Sequence, residues 1–358
     1  MEGTRRRPWS DLQPELLSMI GCRLHTRMDV LRFRSVCSSF RSSIPTLRRD
    51  ASRFPFRIPR SRRPDHFLSE STVYALETAD GAASGRARWL LRLEESERGY
   101  IRILSLFSRR RMASLPRELP PVLDCLQFRI IEICREYTLE YDGRTGEGLE
   151  KVVVHPYCVR ADQHQCLVYF IDVVGQLCYW KYGDENWSHL GGGYDDIVVY
   201  QGKVCVTDQF GSVSWIDSSF KLQKFSLSID AGSCRCHRRH RKRLVISSGD
   251  LYAVDECIRH GGARHFRAYR LDRECWRWKE VRSLGNSAFF LGNGRSFAVP
   301  ATEIDGCEGD CIYYVENASS YSSYFWEDVK AFSLTDRGHK DVDFWFISLM
   351  KRGAITLE

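Results

Sequence analysis

The sequence predicts an α+β chain in two parts: a small N-terminal helical domain, then an all-β, propeller-like body of about six blades. Three observations carry that prediction. Apolar residues between positions 14 and 44 recur at helical spacing. A Pro- and Arg-rich stretch, 48–71, then interrupts any regular pattern. Beyond about residue 72, short apolar strands alternate with turns, and a strand–turn–strand unit recurs. An irregular pair of sandwiched sheets is the alternative architecture for the body.

The first helix is expected to begin at Pro14, whose fixed φ suits a first helical position, with Glu15 favourable in the first turn. Leu16, Leu17, Ile20 and Leu24 then make one apolar face. Thr26 with Asp29 three residues on reads as a second helix start, a variant of the capping box. Val30, Phe33, Cys37, Phe40 and Ile44 continue the apolar spacing. The run Cys37-Ser38-Ser39 breaks it, because serine favours a helix cap over a helix interior. Residues 28–44 are therefore two helices that share an apolar surface.

In the body, DVVGQLCYW (172–180) and DQFGSVSW (208–215) are copies of one unit. Asp172, Gly175 and Leu177 recur 36 residues later as Asp208, Gly211 and Val213; Trp180 recurs as Trp215, one residue out of register. Looser copies are WLLRLEESERGYIRILSLF, LVISSGDLYAVDE with FRAYRLDRECWRWKEV, and CIYYVENASSYSSYFWEDVKAFSL. An all-strand repeat of this length is the signature of a propeller blade.

Composition narrows the function. A chain of 358 residues that is 43% hydrophobic can bury a substantial core. Residues 1–63 hold 15 Arg, no Lys and 5 Asp or Glu, a net of +10, so the rest sums to −3 within the formal +7. That distribution argues against a nucleic-acid-tracking body. Neither a signal-peptide pattern nor an apolar run of membrane length stands out, which points to the cytoplasm, the nucleus or both. The 14 cysteines are then reduced thiols, and Cys166, Cys178, Cys205 and Cys311 sit in apolar runs as small hydrophobes.

Cys234, Cys236, His237 and His240 have zinc-ligand chemistry but crowd into seven residues without a separated second pair, so no metal site is expected. The same stretch supplies Arg238, Arg239, Arg241, Lys242 and Arg243, which read as a solvated loop and a candidate nuclear-import or anion-binding patch. Tyr321 and Tyr324, in a Tyr/Ser-rich stretch, are candidate substrate contacts, since rigid aromatics bring area at little entropic cost. No nucleophile elbow, phosphate-binding loop or dinucleotide fingerprint is present, so neither an enzyme nor a cofactor is expected.

Residues 9–47, WSDLQPELLSMIGCRLHTRMDVLRFRSVCSSFRSSI and its margins, resemble an F-box. The resemblance rests on Leu12, Pro14, Glu15, Leu16, Leu17, Ile20, Leu24, Asp29, Leu31, Arg34, Val36, Cys37 and Phe40, in order. Gln13 replaces a frequent proline, and Phe40 a usual Trp. After the basic linker 48–71, residues 72–358 are similar to the Kelch-like propellers of plant F-box proteins of the SKIP- and KIB-like subgroup. That similarity lies in blocks 102–116, 169–187, 198–217 and 285–301. Gly191-Gly192-Gly193 is like a Kelch diglycine but does not recur.

The resemblance implies a substrate receptor of an SCF-type ubiquitin ligase, docked on a Skp-type adaptor that links it to a cullin scaffold. It assigns adaptor binding to Leu12, Pro14, Leu16, Leu17, Ile20, Leu24, Leu31, Val36, Cys37 and Phe40. Much of the helical stripe is then expected to be interface, apolar at its centre as such surfaces are. An F-box protein that binds without promoting ubiquitination is the alternative; a nucleic-acid-associated protein using the basic arm is a more distant one.

Overall fold

A computed structural model describes residues 9–24, 27–44, 56–58, 65–78, 89–95, 101–108, 111, 128–141, 144–145, 149–156, 166–229, 240–258, 263–316 and 329–342. Helices occur at the N-terminal end: α1 (Pro14–Cys22), α2 (Arg27–Ser35) and α3 (Ser38–Ser43). Pro14 does open α1. The break before Ser38 is also where expected, though Cys37, not a serine, is the N-cap residue of α3.

The body is a ring of blades whose strands pair antiparallel, except that Ser287–Leu291 pairs Cys311–Val315 in parallel. The first combines His66–Thr78, Trp89–Glu95, Ile101–Leu104 and Phe128–Tyr141. The second runs through Leu149–His155, Leu167–Asp172, Leu177–Lys181 and Ser188–Gly191, and one pairing, Tyr137 with Val152, joins it to the first. The third is Tyr194–Tyr200, Lys203–Asp208, Val213–Ile216 and Leu222–Lys224; the fourth is His240–Ser247, Asp250–Ile258, Arg264–Asp272 and Arg277–Val281. The fifth holds Ser287–Leu291, Ser296–Pro300, Cys311–Val315, Val329–Ser333 and His339–Asp341.

Five units, not six, close the ring among the described residues, because five apolar seams follow one another around it. Leu68 and Leu139 meet Val152, Val168 and Trp180 between blades one and two. Ile171 and Leu177 meet Ile197 and Val206 between two and three. Val213 and Ile229 meet Leu244 and Leu271 between three and four. Val254 and Phe266 meet Phe289 and Tyr314 between four and five. Val73 and Phe107 meet Phe290 and Tyr313 between one and five. Both faces of a blade are covered, so its strands read as apolar runs instead of alternating.

The predicted linker also ends early. Phe56–Ile58 pairs with His66–Leu68, and Ile58 is fully buried, so the ring begins before residue 72.

The 36-residue repeat is a turn device. Asp172 Oδ1 accepts the amides of Val174 (3.0 Å) and Gln176 (2.8 Å), and Asp208 Oδ1 those of Phe210 and Ser212 (both 2.9 Å). Gly175 and Gly211 supply φ of 81° and 80° at the same place. Each joins the second and third strands of its blade, so the repeat measures the blade period.

Charged side chains brace the inner strands, which neighbour one another in turn: 128–141, 149–155, 194–200, 240–247 and 296–300. Lys151 of blade two pairs with the fully buried Asp196 of blade three. Asp196 Oδ2 also accepts the Leu244 amide of blade four at 2.7 Å, and Asp195 Oδ2 the Lys242 amide at 2.9 Å. Burial pushes the Lys151 ammonium down to about 8, with Asp196 opposing that shift and Arg243 adding to it. Burial raises the Cys178 and Cys311 thiols to about 11 and Cys205 to about 12, which keeps them protonated and inert at neutral pH. Cys166 is only half-buried.

Two outcomes are expected. Lys151→Met leaves Asp196 buried without its cation and should cost about 3–5 kcal/mol in urea unfolding at pH 7. Between pH 8 and 10.5 the unfolded chain holds a proton that the folded Lys151 has released. The stability advantage of wild type over Lys151→Met should therefore grow with pH across that window. Gly211→Ala meets both a positive φ and a Cβ position 2.6 Å from Ile229 Cδ1. Gly183→Ala meets a φ of 92° with nothing within 4 Å. The first should cost about 2–3 kcal/mol and the second about 1 kcal/mol.

Candidate functional site

The helical segment carries its own core. Leu17, Val30 and Ile44 are fully buried, Phe33 and Phe40 nearly so, with Leu12, Leu24 and Cys37 packed at the margin. The Phe33 and Phe40 ring centroids are 4.6 Å apart. Gly21 lets α1 approach the end of α3: a Cβ there would stand 1.8 Å from Ile44 Cδ1. Arg34 Nη1 donates to the Arg41 carbonyl at 2.9 Å and to that of Ile44, while Arg41 Nε returns a bond to the Arg34 carbonyl at 3.2 Å. These bonds satisfy carbonyls that the end of α3 would leave orphaned.

The expected stripe is thus mostly internal. Leu17 and Phe40, assigned above to adaptor binding, face the head's own core. Three short helices crossing at a glycine suffice to cover five apolar residues, so the stripe needs no external partner.

What stands exposed is the opposite side of α1. Leu16, Met19 and Ile20, at i, i+3 and i+4, are 44%, 55% and 38% exposed. Leu31 on α2, Val36 after it and Trp9 ahead of α1 are exposed apolar side chains as well, and Pro14 is exposed. Met19 and Trp9 were not singled out from the sequence; the spacing of Met19 from Leu16 was the available signal. A helical face of large apolar residues in water marks an interaction surface. It can bury area against an apolar groove, in the helix-face mode of recognition. On the side of α2, Arg32 donates to the Ile130 carbonyl of blade one, a direct tie between head and ring.

The other predicted sites fare differently. Tyr321, Tyr324, Arg238 and Arg239 lie outside the described residues, as do Cys234, Cys236 and His237. His240, Arg241, Lys242 and Arg243 belong to the inner strand His240–Ser247 and not to a solvated loop. Lys242 Nζ lies 2.6 Å from Asp255 Oδ1, and Arg243 Nε 2.9 Å from Glu256 Oε2, both pairs buried. His240 Nδ1 shares Asp255 at 3.1 Å. Burial alone would raise the Glu256 carboxyl, but Arg243 and Arg264 outweigh it and hold it below the ordinary range. Lys242 and Arg243 are therefore structural, and Arg241 is half-buried beside them. Among the described residues no group of His, Cys, Asp and Glu is placed to hold a metal ion, and no helix is long and apolar enough to cross a membrane.

Comparison with known proteins adds a family. The sequence pattern described as the KIB1-4 beta-propeller matches residues 57–341. The putative F-box protein At5g60060 of Arabidopsis thaliana is 31% identical over 83% of this chain and 86% of its own length. The F-box protein SKIP23 of the same plant is 25% identical over 96% of this chain and 91% of its own length. Among solved structures, the N-terminal domain of Nup159 gives a TM-score of 0.30 at 12% identity, over 68% of this chain and 55% of that one.

The two sides of α1 should separate experimentally. Leu17→Asp forces a carboxylate into the head's core, costs several kcal/mol, and should make residues 9–44 sensitive to protease. Leu16→Asp, already in water, should stay within about 0.5 kcal/mol of wild type and keep its resistance. Limited trypsin digestion followed by mass spectrometry measures both.

Proposed function

The chain belongs to the KIB1-4 beta-propeller family, and from that premise we propose that it is a substrate-recognition subunit of an SCF-type cullin ligase. The observation that carries the reading is the head's division into an inner core and an outer apolar stripe, Leu16, Met19 and Ile20. In this account the outer stripe docks on a Skp-type adaptor, and the ring holds the target protein. The match to the F-box protein SKIP23 takes in 96% of this chain, too much to leave out either the head or the ring.

No catalytic group is required of such a subunit. Its contribution is proximity: it raises the effective concentration of target lysines near the charged conjugating enzyme. Fully burying a Leu, Ile or Met contributes roughly 1.5–3 kcal/mol, so three or four such residues anchor a stable complex.

Leu16→Asp with Ile20→Asp tests it. Desolvating two carboxylates against an apolar partner should reduce adaptor affinity by orders of magnitude. Adaptor and cullin should be lost on co-purification, while the ring keeps its thermal transition and its captured target, and that target should accumulate in cells. Undiminished adaptor binding by a folded double variant would refute the assignment.

A further inference from the structure

Four seams of the ring join blades that follow one another in the chain. The fifth joins the first blade to the last. A ring can close there by lending a strand across the seam, but every described strand of the last sheet comes from residues 287–341. The ends are held instead by the apolar seam of Val73, Phe107, Phe290 and Tyr313 and by whatever polar contacts fix it in place.

The hairpin between Ser287–Leu291 and Ser296–Pro300 supplies such contacts. Its turn, Gly292-Asn293-Gly294-Arg295, projects into blade one. The Asn293 amide donates to the Phe107 carbonyl at 2.7 Å, and Arg295 Nη1 donates to the Arg135 carbonyl. The Gly292 carbonyl accepts Arg243 Nη1 of blade four at 2.7 Å, while its amide closes the turn on the Arg295 carbonyl at 3.0 Å. Both glycines are required by close approach. A Cβ at Gly292 would stand 3.1 Å from the Phe107 carbonyl oxygen. One at Gly294 would stand 1.8 Å from Glu136 Oε1.

Glu136 cannot swing aside freely. It is buried and paired with Arg92 at 3.0 Å, and Arg92 also donates to Ser71 Oγ (2.9 Å) and the Ser108 carbonyl (3.0 Å). The turn thus seats on a fixed carboxylate in a site walled by main-chain carbonyls. Beside it the Phe107 and Phe290 rings stack at 5.9 Å.

We propose that Gly292–Arg295 is the latch of the ring: it closes the seam between first and last blades, and the ring opens there when the latch is withdrawn. Opening exposes the two blades' shared apolar faces while the three other blades keep their mutual seams. Opening at one seam short of global unfolding is the sub-global kind of opening that native-state hydrogen exchange detects.

The test is hydrogen–deuterium exchange on the full chain carrying Gly294→Ala, with Arg295→Gln as a second variant that adds no atom at the turn. The latch predicts faster exchange, by at least about tenfold, in 71–76, 101–108 and 287–300, with 194–208 and 240–247 unchanged. Both variants should show it, the alanine more strongly. Unchanged exchange at the seam in a folded Arg295→Gln chain, or an equal rise across all five blades, would overturn the proposal.

Discussion

Asp196 has no exposure to water, yet it carries a charge, and the ring depends on how that charge is met. Lys151 reaches it from the preceding blade, the Leu244 amide from the following one, and its own neighbour Ile197 donates at 2.6 Å. A buried carboxylate left unpaired is strongly destabilising, so its partners fix how three inner strands stand relative to one another. Asp195 with the Lys242 amide, and Arg243 with the Gly292 carbonyl, carry the same constraint to the last blade. The apolar seams supply the cohesion of the ring. The buried polar groups set its register, because an apolar seam alone tolerates sliding and a hydrogen-bonded charge does not.

Much of this was legible in the sequence, and the failures have physical causes. Pro14 and the Asp-x-x-Gly turns announce themselves because each acts through local backbone geometry. The blade count did not, because the 36-residue period marks only two blades. Blade one uses strands of 13 and 14 residues, and blade five folds its hairpin back so that Ser287–Leu291 runs parallel to Cys311–Val315. The basic run near 240 looked solvated because its carboxylates lie a hairpin away. The turn at Ser248-Gly249 puts Lys242 directly opposite Asp255. Once that turn is placed, the pairing follows from register alone.

The head shows the same limit. Helical spacing identified the apolar residues of α1 but gave no means of telling inward from outward. Leu16 and Leu17 are neighbours in sequence and opposites in the fold, and the choice is made by α3 packing across Gly21. With that packing known, a small self-contained head offers an apolar stripe to water, and Arg32 ties it to blade one. Docking and target capture can then reside on different parts of one chain, with the head held in register to the ring.

Exchange of backbone amides in the full chain, with and without a Skp-type adaptor, tests this division most directly. The account predicts that adaptor slows exchange in 14–22 and 27–36 and leaves the inner strands of the five blades as they were. Protection that appeared in the blades while the head exchanged as before would contradict it.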